Sequence, residues 1–278
     1  MLSPIARLPF LAAAALGAAL AAGAGAPAAP ETIGPHPTGS NAASPARPGV
    51  RPAQSPPATR TDADAVAAYG GRVHAAVAAD GALHLAQGYR IETSDLADPV
   101  EPRRVASLAY TDTVAALAFA DGRLVATVGA RLVVLDRTDP LRPRPLGELA
   151  LSGRGIDLAV DGARRVVYAL YGGPGEPESG VDIVSLNDPA APRRVGGIAA
   201  LDGPTDLVDG EGALYVASWR GLHVYDTRDP SAPVLVPQTS ADPPPPDILR
   251  LGRIGAVLYA VHHLRGRGIT MTSAIELP

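Results

Sequence analysis

Three aspartates stand at matching places in the chain: Asp157 in GIDLAV, Asp206 in PTDLVD and Asp247 in PDILRL, each near the start of a short apolar run. Carboxylates gathered at one mouth of a channel would offer hard oxygen ligands to a divalent cation. An aspartate at a strand entrance also accepts backbone N–H bonds and holds a turn, which is its more ordinary task. A second group points to recognition. Gln87, Tyr171, Ser218, Trp219 and His262 end equivalent apolar runs, and Arg154 lies in a connection that should share their face. Trp219 is the sole tryptophan, and such a side chain gives large contact area at low entropy cost. Its other role is to pack on a neighbouring element.

Nucleophilic chemistry finds no support in the sequence. There is no cysteine, and neither ASW nor TSA has the G-x-S-x-G elbow. No phosphate-binding glycine loop occurs. His84 occupies the slot of Tyr168, Tyr215 and Tyr259, so it reads as a structural substitute. His262 and His263 are consecutive on an expected strand and face opposite ways, so they cannot chelate one metal together. No catalytic residue is assigned and no cofactor is expected beyond the divalent cation that the three aspartates would admit.

The elements that position these residues come from repetition. TSDLADPVEPRRV, LDRTDPLRPRPL, VSLNDPAAPRRV and YDTRDPSAPVLV share a pattern whose aspartates, Asp98, Asp139, Asp188 and Asp229, are 41, 49 and 41 residues apart. A period of this size marks a propeller or solenoid. Within each period an apolar run, a Gly turn, a strand such as ALYVAS, a strand such as GLHVYDT, an Asp-Pro turn and PVLV succeed one another. That order predicts a four-stranded antiparallel meander. The insertion GGPGEPESG, residues 172–180, accounts for the longer third period.

Units of the form GLxVxDxxDPxxPxxV, best seen at Gly221 to Val236, resemble the LVIVD repeat family over residues 64–278. The resemblance implies a β-propeller and an exported or surface protein, and names no ligand. The fold class expected is therefore all-β: a β-propeller of four-stranded antiparallel blades, with five blades favoured and a truncated larger ring as the alternative. The last unit runs out one strand short, and Asp64 to Gly71 resembles the missing fourth strand, so this N-terminal strand is expected to close the ring beside Ile269 to Ser273. Inner strands of so small a ring need small side chains, which Ala75, Ala76, Ala115, Ala116, Ala118 and Gly155 supply.

The N-terminus has one positive charge at Arg7, an uncharged Leu, Phe, Ala and Gly stretch and then A-x-A triplets. This is the order of a secretory signal peptide, expected over residues 1–24. Residues 25–62 are rich in Pro and Ala without apolar periodicity, the composition of a disordered tether. Residues 63–278 then make the repeat domain. All 24 basic residues are Arg and the net charge is −4, which argues against a nucleic-acid partner. Arg103, Arg104, Arg142, Arg144, Arg193 and Arg194 cluster at expected outermost strands, where charge guards an edge against pairing with another sheet.

These readings converge on an exported, monomeric, non-catalytic propeller, secreted, periplasmic or at the cell surface. It would bind a protein or glycan of the cell envelope through its loop face, with no membrane span in the mature chain. The alternative is a metal-dependent enzyme or metal-binding module built on Asp157, Asp206 and Asp247.

Overall fold

The computed structural model describes residues 72–237, 247–264 and 269–276. The expected signal segment, the tether and the closing strand at 64–71 lie outside the described residues. Those described form nineteen strands in five antiparallel sheets, with no helix among them.

The first sheet comprises β1 (Val73–Ala79), β2 (Ala82–Gln87), β3 (Arg90–Asp95) and β4 (Arg103–Ala109). The second comprises β5 (Val114–Ala120), β6 (Arg123–Val128), β7 (Arg131–Asp136) and β8 (Arg144–Ala150). The third comprises β9 (Gly155–Asp161), β10 (Val166–Tyr171), β11 (Gly180–Ser185) and β12 (Arg193–Ala199). The fourth comprises β13 (Pro204–Asp209), β14 (Ala213–Ser218), β15 (Gly221–Asp226) and β16 (Val234–Leu235). The fifth has three strands, β17 (Ile248–Ile254), β18 (Val257–Leu264) and β19 (Ile269–Glu276). Each sheet is a meander in chain order, as the repeat predicts.

Local chemistry explains the repeat. Asp80-Gly81 and Asp121-Gly122 both have positive φ at each residue, 53° and 73°, then 49° and 72°. That is the two-residue turn whose twist matches a hairpin. At the other signature, Asp98, Asp139, Asp188 and Asp229 each accept the N–H two residues ahead, at 2.9, 3.0, 3.1 and 2.9 Å. The intervening proline has no N–H to offer and sets φ for the turn. Asp95, Asp136 and Asp226, at the ends of β3, β7 and β15, do the same three residues earlier. Two consecutive carboxylate-held turns thus swing the chain from third to fourth strand.

Consecutive sheets pack face to face through four hydrophobic clusters. Alternate residues of one strand serve two of them: Val166, Tyr168 and Leu170 of β10 pack toward the fourth sheet, and Val167 and Ala169 toward the second. With aromatics at 4% of the chain, Val, Leu, Ile and Ala carry this burial. His84 fills its tyrosine slot in the first of these interfaces, fully buried, with Nδ1 3.0 Å from the Thr93 hydroxyl and its ring edge-on to Phe119. Arg137 lies over the same Phe119 at 4.6 Å and reaches Asp80 at 2.8 Å, tying the second sheet to the first.

The outer strands are docked by the Asp-Pro turns. A Cβ on Gly147 of β8 would lie 2.5 Å from the carbonyl oxygen of Pro189 and 2.7 Å from that of Ala190. Gly196 of β12 meets the Pro230 carbonyl in the same way. The turns of the third and fourth sheets therefore sit on bare backbone of the sheet before them. Arg103, Arg104 and Arg194 on these strands pair with Asp95, Glu92 and Asp182 of the adjacent third strands.

Candidate functional site

The first strand of every sheet is an edge of that sheet, and β1, β5, β9, β13 and β17 lie side by side in chain order. Each carries a β-bulge near its start, leaving His74, Ala115, Ile156, Thr205 and Leu249 without a cross-strand partner. A bulge re-aims the residue that follows it. Those residues are Ala75, Ala116, Asp157, Asp206 and Arg250, and all five line one cavity of about 760 Å³. Ala76, Ala115 and Gly155 complete its small-residue wall, as the sequence requires of inner strands. The β10–β11 loop reaches over with Gly172, Gly173, Pro174 and Glu176, so the cavity opens at the end carrying the second-to-third-strand turns.

Asp157 and Asp206 meet here. Their carboxyl groups hydrogen-bond to each other, and the Asp157 group is pushed well above the usual carboxylate range by burial first, then by the bond to Asp206 and its charge. The Leu158 N–H and the Arg250 charge act in the opposite sense. Neighbouring carboxyl groups oppose each other's ionisation, which favours one proton held between them. Asp206 is the natural acceptor of that bond, because its Oδ1 already takes the Leu207 N–H at 2.9 Å and its Oδ2 the Leu251 N–H at 2.7 Å. Asp157 Oδ1 takes the Leu158 N–H at 2.9 Å. The aspartates thus accept backbone N–H groups as expected, but from residues inside β9, β13 and β17 rather than in a turn, and they do so alongside their convergence.

Asp247 does not join them. It precedes β17, is buried with φ 57°, and donates its N–H to the Trp219 carbonyl at 3.1 Å. The bulges of β9, β13 and β17 fall at the same strand position, at Ile156, Thr205 and Leu249, so Arg250 rather than Asp247 is the counterpart of Asp157 and Asp206. The expected third oxygen ligand is replaced at that position by a guanidinium, whose Nη1 donates to the bulge carbonyls of Thr205 and Leu249 at 3.2 and 3.3 Å. Among the described residues no three His, Asp or Glu side chains are grouped to hold a metal ion.

The expected contact residues divide. Arg154 lines the cavity and is exposed. Among the described residues its guanidinium has no ion pair or hydrogen bond, and its charge, after burial and Arg72, helps lower the pKa of His74 on the opposite wall. Trp219 is 43% exposed and its ring lies along Gly203, so it packs and presents a face at once. Beside it Arg220 pairs with Asp202.

Gln87, Tyr171, Ser218 and His262 are buried, against the expectation that they lie open on the loop face. Each pairs with the first residue of its inner strand, Val73, Gly155, Pro204 and Ile248. These residues therefore belong to the strand ladder rather than to the loops beyond it. Val128 fills the same register in the second sheet at 0% exposure, which marks the slot as core. Polar occupants find local partners there, although among the described residues His262 Nδ1 is left without one. The Ser218 hydroxyl donates to the Gly221 carbonyl at 3.1 Å and lies 3.0 Å from His223 Nε2, and His262 Nε2 lies 2.9 Å from the Ser273 hydroxyl.

Sequence reasoning missed Arg250, His74, Thr113 and Glu176 as lining residues. Only the bulge reveals Arg250 as an inward position, and a bulge adds a residue without leaving a compositional trace.

No protein-family model matches the chain, and no curated protein matches it. Solved structures do. A functionally unknown protein from Desulfotomaculum acetoxidans aligns with a TM-score of 0.56 at 10% identity, over 73% of this chain and 69% of that one. Hydrazine synthase of Kuenenia stuttgartiensis aligns at 0.55 and 10%, over 68% and 61%. The computationally designed Ika8 protein aligns at 0.54 and 13%, over 73% and 58%. At these identities the likeness concerns the fold alone.

Proposed function

We propose that this chain is an exported, non-catalytic β-propeller, closed by its N-terminal strand, that serves as a protein- or glycan-binding scaffold through its loop face. Five meanders with adjacent inner strands, the last lacking an outer strand, support the ring. The single observation that carries the binding reading is the cavity: it opens at the loop face, is walled by Ala and Gly, and presents the unpaired Arg154 guanidinium beside a fixed carboxyl pair. Concave sites with few convergent polar groups are the usual seats of ligands. The acid pair accepts backbone N–H groups from Leu158, Leu207 and Leu251, which suits a shaped wall.

The test uses purified full chain immobilised against native envelope extract. A partner whose retention falls with Arg154→Ala or Trp219→Ala, and stays with Arg193→Ala on the outer strand, supports the reading. Retention unchanged by both loop-face substitutions overturns it. The metal alternative would need both carboxylates deprotonated next to Arg250. Stoichiometric metal in purified protein, lost on Asp157→Ala, would decide in its favour.

A further inference from the structure

We propose that the loop-face cavity captures the C-terminal carboxylate end of a partner polypeptide, with Arg154 as its anchoring cation. The inference rests on the binding-scaffold reading and names the partner's chemistry. Three features of the cavity select it.

The first is charge. Arg154 and Arg250 are cationic, the Asp157–Asp206 pair carries one shared proton, and Glu176 stands at the rim. The lining is near neutral as a whole but holds one guanidinium without a partner among the described residues. A monoanion with hydrogen-bond donors behind it fits that arrangement, because Arg154 takes the anion in a charge-assisted, bidentate bond. A dianion would meet the Asp pair and Glu176.

The second is backbone. The inner strands are sheet edges, so their N–H and C=O groups alternate along the side that faces away from the sheet. The bulges at His74, Ala115 and Ile156 add groups without ladder partners, and all three residues line the cavity. Ala and Gly walls leave this backbone reachable. A peptide supplies matching amides, and capture of a terminal carboxylate by such surroundings is a recurrent recognition mode.

The third is the absence of a Phe, Tyr or Trp side chain among the described lining residues, where His74 is the one aromatic ring. A pyranose ring would find no large apolar face to stack on, which favours a peptide over a glycan.

The experiment is calorimetric titration of the full chain with acetyl-tetra-alanine bearing a free C-terminal carboxylate, with the same peptide as its C-terminal amide, and with trigalacturonate. Loss of one charge-assisted hydrogen-bonded contact should weaken binding about tenfold or more. The expected result is that the acid binds at least tenfold tighter than the amide, that Arg154→Ala brings this ratio to about one, and that Arg220→Ala leaves it intact. Equal binding of acid and amide, a ratio untouched by Arg154→Ala, no binding of either peptide, or tighter binding of trigalacturonate would each overturn the proposal. If these occur while envelope partners still depend on Arg154 or Trp219, the scaffold reading stands and only the carboxylate-end assignment falls.

Discussion

Replacing Asp209 with asparagine should stabilise the protein at neutral and alkaline pH. Asp209 ends β13, as Asp161 ends β9, and the two carboxyl groups face each other across adjacent sheets. Burial, then the Asp161 charge, pushes the Asp209 group up to about 6 from the ordinary 3.8. Its Oδ1 is buried without a hydrogen-bond partner. Asp161 is itself held by Arg164 at 2.6 Å, so it remains a fixed negative neighbour. Because the folded-state value is raised, the stabilising effect is complete below the unfolded value near 3.8 and is lost as pH climbs through about 6. The full difference corresponds to about 3 kcal/mol. Asp209 is only partly buried, and solvent screening reduces this to about 1–2 kcal/mol. Asparagine keeps the shape without the charge. Its variant should therefore melt about 3–6 °C above the natural protein at pH 8, with the gap closing toward pH 4. Thermal or urea unfolding at both pH values measures it. A gap equal at the two pH values, or an asparagine variant less stable at pH 8, would refute the argument.

Other outcomes follow from neighbouring features. His84, whose value is lowered to about 4 by burial and the Arg137 charge, should show an NMR titration midpoint near 4. Its contribution runs the other way, present above about 6.5 and lost on acidification; a midpoint above 6 would mean the ring is not enclosed. Gly147→Ala should cost about 1–3 kcal/mol in urea unfolding, because its Cβ meets backbone carbonyls that have no rotamer to yield. Gly197→Ala, with the Val181 oxygen at 3.2 Å, should be far milder, and the reverse order would refute turn docking. Asp157→Asn should be tolerated, its amide donating to Asp206 as the protonated carboxyl does. Asp206→Asn offers one oxygen where two backbone N–H groups are now served, and should lose about 1–3 kcal/mol in the same assay.

The repeat unit was legible because its turns depend on backbone chemistry that few residues supply. Asp-Pro at positions 98, 139, 188 and 229 and Asp-Gly at 80 and 121 announce where the chain reverses, and between reversals only strands fit. The inner small residues were legible for the same kind of reason. The site was half legible: Asp157, Asp206 and Arg154 reach one cavity, whereas Asp247 does not. The reason is alignment: Asp157, Asp206 and Arg250 are each the third residue of their strand, whereas Asp247 precedes β17 and stands three residues before Arg250, an offset that matching Asp to Asp in the sequence hides. Gln87, Tyr171, Ser218 and His262 were expected on open loops, but the ends of the second strands pair with the first residues of the inner strands, a slot where Val128 was the one clue that it is buried.

The bulges also explain how a repetitive fold acquires a one-sided site. Five meanders present five equivalent inward positions, and a uniform occupant would give a uniform wall. Here the first two are Ala75 and Ala116 and the last three Asp157, Asp206 and Arg250. One side of the cavity is therefore low and apolar, and the other is charged and internally compensated. Arg154 and the β10–β11 loop stand at the mouth, next to the charged side in chain order. A ligand bound as proposed would meet first the Arg154 cation, which has no partner among the described residues, then polar groups on one flank and open backbone on the other, so its direction of entry would be set as well as its charge. The 172–180 insertion belongs to this arrangement. It lengthens a single period, and Gly172, Gly173, Pro174 and Glu176 from it line the cavity. Shortening it to the length of the β6–β7 turn should leave the five sheets intact and widen the mouth, weakening ligand retention without changing urea stability. Loss of stability together with retention would show instead that the loop is a structural tie between strands.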